Sequence, residues 1–67
     1  MSRERELQKL FNAIVDYQRE PNPITEEVMK EQKRQCLIIW PQEARTTIFR
    51  AIHFAERHPV DDATIVP

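Results

Sequence analysis

Apolar residues recur along this chain at helical spacing, in three stretches separated by prolines. In the first stretch Leu7, Leu10, Phe11, Ile14 and Tyr17 fall on one face of a 3.6-residue period, and Ala13 and Val15 widen that face. The pattern predicts a helix over residues 2–19, with Ser2 as its N-cap. Pro21-Asn22-Pro23 then forces extended or turn geometry and predicts a loop.

The second stretch begins at Thr25, a residue type that caps helices, with Glu26 and Glu27 placed where the helix dipole favours anions. Glu26 and Lys30 are spaced for an i,i+4 pair. Val28, Met29, Gln32, Cys36 and Ile39 share one side, and from Leu37 onward apolar residues surround the axis. That arrangement predicts burial of the helix end, by its own fold or by a partner. A strand over residues 36–40 is the competing reading, because short apolar runs are ambiguous by period.

Pro41 pushes Trp40 out of the helical region, yet proline suits the first position of a new helix. In the third stretch Ala44, Ile48, Ala51, Ile52 and Ala55 form the stripe, flanked by Phe49 and Phe54. Pro59 ends it, and residues 59–67 read as an extended tail. The expected fold is all-α. An αα-hairpin closes at Pro21-Asn22-Pro23, and its second arm breaks at Trp40-Pro41. The result is a single three-helix domain over residues 1–58, with helices over about 2–19, 25–40 and 41–58. A sharp corner at the break makes a bundle, and a kink makes one long bent arm.

Composition sharpens the picture. The chain has 67 residues and no glycine, which disfavours the hairpin turns a sheet would need. A domain this short buries only about 60% of the surface its unfolded chain exposes, so a partner or a second copy is a common support. One cysteine, Cys36, excludes an intrachain disulfide and fits a cytoplasmic setting. The first ten residues lack the apolar segment of a secretory signal, and no apolar run approaches the roughly 20 residues of a membrane span.

Ten basic and eleven acidic side chains nearly balance, and neither sign collects in one third of the chain.

Chemistry-bearing residues are sparse. Cys36, His53, His58, Asp61 and Asp62 are metal-ligand types, but no pair has zinc-site spacing. Five residues separate the two histidines, about 140° around a helix. Cys36 and His53 are the residue types of a nucleophile and its base, but no third group to orient them is identifiable. No enzyme activity, metal or cofactor is expected.

The sequence points instead to a small interaction protein that binds itself or modulates a larger protein. Phe11, Tyr17, Leu37, Ile38, Trp40, Phe49 and Phe54 are its expected contact residues, since aromatic side chains concentrate at interface centres. Gln42, Thr46, Arg50, His53 and Arg57 form a polar strip on the third helix, read as a rim around those contacts. The same strip carries the alternative of nucleic-acid binding, because Gln, Thr and Arg read bases and phosphates. The near-zero charge and the lack of spare residues for a helix-turn-helix joint weigh against it. Helix 1 is amphipathic, but its mixed-sign polar face does not suit a membrane surface.

Overall fold

The computed structural model describes residues 2–58. It contains three helices of 17 residues each: α1 (Arg3–Arg19), α2 (Pro23–Ile39) and α3 (Pro41–Arg57). The expected tail, residues 59–67, lies outside the described residues. Every pair of helices is in contact, so the break at Trp40-Pro41 is a corner that closes a bundle.

The helix ends follow from local chemistry. Ser2 caps α1, its Oγ accepting from the Arg5 amide at 3.4 Å. Glu4 and Glu6 occupy the first turn and Arg19 the last, all in the favourable sense of the dipole. α2 starts two residues earlier than the position of Thr25 suggests. Its N-cap is Asn22, whose Oδ1 accepts from the Ile24 and Thr25 amides at 2.9 Å each. Thr25 closes the box, its Oγ1 accepting from the Asn22 amide at 3.0 Å. Pro23 takes the first helical position, where its missing N–H would be unpaired anyway. The second proline of the loop is thus a helix starter.

Trp40 alone joins α2 to α3. Its amide donates to the Cys36 carbonyl at 2.7 Å, and its carbonyl accepts from the Ala44 amide at 2.8 Å. One residue outside helical geometry, at φ −132° and ψ 71°, therefore ends one hydrogen-bond ladder and begins the next.

The core is Leu10, Ile14, Val15, Cys36, Ala44 and Ala51. Leu7, Phe11, Met29, Leu37, Trp40, Ile48 and Ile52 pack around it, partly buried. All three fully buried positions of α3 are alanines, Ala44, Ala51 and Ala55. Small side chains let two helices approach closely, because interaxial distance follows side-chain size at the contact. α2 contributes only Cys36 at the fully buried level, so it is the least embedded helix.

Burial at the end of α2 is one-sided. Leu37 packs on the core, but Ile38 and Ile39 are exposed, so of the two expected covers the chain's own fold supplies only one side. Neighbouring helices cover one side only, and Trp40 turns the chain before α3 can cover the other.

Polar contacts tie the helices together. Gln32 of α2 donates to the Glu6 carbonyl and carboxylate of α1, at 3.1 and 3.0 Å. Arg19 donates to the His58 carbonyl at 3.0 Å, and Arg3 pairs with Glu43 at 3.6 Å, so α1 is fastened to both ends of α3. Among the described residues no buried side-chain nitrogen or oxygen lacks a partner, and no helix is long and apolar enough to cross a membrane.

A cationic aromatic groove between the first and third helices

Helical spacing on α3 places Phe49, Arg50, His53, Phe54 and Arg57 along one side of the helix, beside the alanine stripe that packs inward. α1 brings Phe11 against them. Its ring meets Phe54 edge to face, with centroids 5.4 Å apart and planes at 62°. Such pairs add about 0.5–1.5 kcal/mol beyond their burial. The result is a groove of about 500 Å³ lined by Phe11, Phe49, Arg50, His53, Phe54, Arg57 and His58.

Two tilted i,i+4 ring contacts line it. Phe49 and His53 have centroids 4.2 Å apart, and Phe54 and His58 4.5 Å. Arg19 reaches over the Phe54 ring at 5.8 Å from its centroid. His53 Nδ1 lies 3.9 Å from a Glu56 carboxylate oxygen, a loose pair at the groove's edge.

The groove continues toward the start of α3. A further cavity of about 330 Å³ is lined by Glu4, Leu7, Gln8, Phe11, Thr47 and Arg50. A third, of about 400 Å³, adds Gln42, Glu43 and Thr46. Arg50 borders all three. Carboxylates line the far end, but the portion around Phe49 and Phe54 is lined by Arg, His and Phe side chains alone.

The residues singled out from the sequence therefore divide. Phe11, Phe49 and Phe54 meet Arg50, His53 and Arg57 in one groove. Gln42 and Thr46 sit at its far end, where the Thr46 hydroxyl donates to the Gln42 carbonyl at 3.2 Å. Leu37 and Trp40 pack on the chain's own core, Tyr17 is half-buried, and Ile38 is exposed on α2.

Both histidines reach the groove despite their spacing. His58 is the C-cap, at φ −125° and ψ 61°, and it leaves the helical path to stack on Phe54. The α1 wall, Glu4, Leu7 and Gln8, went unread in the sequence. Its signal was present, since these residues and Phe11 are spaced three or four apart.

Cys36 is remote in character from this groove. Its thiol donates to the Glu6 carbonyl and receives a contact from the Gln32 amide, both at 3.7 Å. Burial pushes the thiol pKa up; the Gln32 amide opposes that rise, and the Glu6 carboxylate, the weakest of the three influences, adds to it. A thiol so placed stays protonated and inert. It lies between α1 and α2, whereas the polar neighbour of His53 is Glu56 on its own helix. Among the described residues no group of three or more His, Cys, Asp or Glu side chains could hold a metal ion.

Comparison with protein-family models, with curated proteins and with solved structures finds no match for this chain.

Proposed function

We propose that this chain is a non-catalytic interaction protein whose α1/α3 groove takes an acidic, apolar-anchored helix of a larger protein and so modulates it. One observation carries the reading: three phenyl rings and four Arg or His side chains line a single cavity without a carboxylate. Phe49 is 64% exposed in the free protein. Covering such a ring contributes about 1.5–3 kcal/mol, enough to make it an anchor. Arg50 and Arg57 beside it complement carboxylates on the partner and steer their approach. A helix in a groove is a recurrent recognition mode and uses i, i+3, i+4, i+7 anchors. The separate placement of Cys36 and His53 supports action by binding rather than by chemistry. A cytoplasmic setting belongs to the same proposal and rests on the free Cys36 thiol.

Nucleic-acid binding is the second reading, favoured by Arg50, His53, Arg57 and His58 lining the same cavity. Amide chemical-shift mapping separates the two. The probes are a synthetic amphipathic helix with Leu and Phe anchors and Glu flanks, the same peptide with Lys flanks, and duplex DNA. The acidic peptide is expected to shift the amides of Phe11, Phe49, His53 and Arg57, and the Lys peptide to leave them in place. Reversing both arginines, Arg50→Glu with Arg57→Glu, is expected to weaken binding at least tenfold (about 1.4 kcal/mol). Binding of DNA alone, with a steep salt dependence, replaces the reading with the second one. No shift from any probe removes both.

A further inference from the structure

The outward side of α2 carries a pattern that neither the core nor the groove uses. Ile24, Val28, Glu31, Gln35 and Ile38 alternate by four and three residues, the spacing of a coiled-coil seam. All five are exposed, with Ile24 at 76%, Val28 at 55% and Ile38 at 69%. The seam centres about a third of a turn around the helix from Cys36 and Met29, which pack on the core, and Val28 borders Gln32 on the side toward α1. A soluble helix normally turns such a seam inward, and this one turns it to solvent.

The order along the seam is aliphatic, polar, aliphatic. The polar centre is already organised: Gln35 and Arg34 both donate to the Glu31 carboxylate, at 3.0 and 2.9 Å. Those two donors hold the Glu31 carboxyl below its ordinary range, Arg34 first and Gln35 second, so the centre carries an anion with its donors in place.

We propose that a second copy of this chain docks on this face, with the two α2 helices antiparallel and Val28 of each opposite Ile38 of the other. In that register Glu31 falls opposite Gln35 of the second copy. The Val28 and Ile38 layers then meet, and the amide can donate across the centre. In the same register Arg34 of each copy falls one residue from the position facing Glu31 of the other. The helix dipoles oppose one another, which is the favourable arrangement. Parallel alignment would set Glu31 on Glu31 and Arg34 on Arg34. A receiving hole is present: a depression of about 370 Å³ lined by Glu27, Val28, Glu31 and Gln32 lies where the Ile38 side chain would insert. Such an interface is isologous, so it closes at two copies.

The proposal shares with the groove reading the premise that the protein works by association. It uses the opposite surface, so failure of peptide binding at the groove leaves it standing.

Sedimentation equilibrium of the full chain, from about 5 to about 500 micromolar, tests it. The range is set low in affinity because one helix pair covers less than the about 800 Å² per partner of a standard interface. Twice the chain mass is expected at the upper end. Val28→Glu with Ile38→Glu is expected to restore the monomer while circular dichroism and the melting curve stay unchanged. Cysteine crosslinking reads the register. Val28→Cys and Ile38→Cys proteins are expected to crosslink when mixed, and neither alone. In the proposed register two copies of position 28 stand about 15 Å apart along the axis, beyond disulfide reach. Cys36 is buried and does not compete. A monomer throughout the range overturns the proposal, as does a dimer that survives the double Glu variant. Crosslinking of the Val28→Cys protein with itself overturns the antiparallel register.

Discussion

The two faces of this bundle expose apolar surface in different ways. Between α1 and α3 it is concave and aromatic, and ringed by Arg and His. On the outside of α2 it is convex and aliphatic, with both charge signs at its centre. A one-sign concave face is suited to a different molecule of opposite charge. A two-sign face with an aliphatic patch at each end is suited to its own copy. The difference originates in how deeply each helix is embedded. α3 buries only alanines, which lets its neighbours approach closely, and its flanking Phe54 meets Phe11 of α1. α2 presses only Cys36 fully into the core, and a whole side of it remains free.

Substitutions can break this contrast in order of expected size. Leu10→Ala removes a fully buried side chain shared by all three helices. It should cost about 2–5 kcal/mol and abolish both surfaces together, read by urea denaturation. Ala51→Leu should overpack the α1/α3 contact by about 1–3 kcal/mol. Peptide binding at the groove should fall, while self-association through α2 persists. Asn22→Ala removes the cap of α2 and should cost about 0.5–2 kcal/mol. Hydrogen exchange should rise at Ile24 and Thr25, weakening the α2 face before the groove.

Acid separates the faces more gently. The Glu6 carboxyl is held below the ordinary glutamate range, first by the hydrogen bond from Gln32, against a desolvation effect and with help from Lys9. A depressed folded value means the contribution is present above the unfolded value and is lost as pH falls through the folded one. Melting temperature should therefore drop below pH 4.5, and Gln32→Leu should flatten that acid limb. The smallest effect concerns Cys36, whose raised pKa predicts slow labelling by thiol reagents at pH 8 until urea unfolds the chain.

Much of the fold was legible in sequence. Leu10, Ile14, Ala44 and Ala51 were on the expected stripes and are buried. The break at Trp40-Pro41 was marked by the restriction proline places on its predecessor. The start of α2 was misplaced at Thr25 because Thr is a good cap in isolation. Asn22 holds the position because Pro23 is at home one residue later, and Thr25 then serves the box from inside the helix.

The candidate surfaces were harder to read. Phe49, Phe54, Arg50, His53 and Arg57 were each singled out, but as two separate sets, a contact surface and a polar rim. Phe11 joins them from a helix more than thirty residues away in the chain, and periodicity within one helix carries no information about its neighbour. The sequence left open whether the chain itself or a partner covers Ile38, which the bundle leaves exposed, and Ile24 went unremarked. An apolar run records only that residues are apolar, not which sides the bundle will cover.

By itself, then, the sequence determined three helices, the positions of their breaks and most of the inward stripes. Those features depend on backbone geometry and on side chains a few positions apart. Only the tertiary structure decided that α1 and α3 enclose a groove and that α2 keeps a seam in the open. Those outcomes depend on which helix lies against which, and that is settled by packing all three at once.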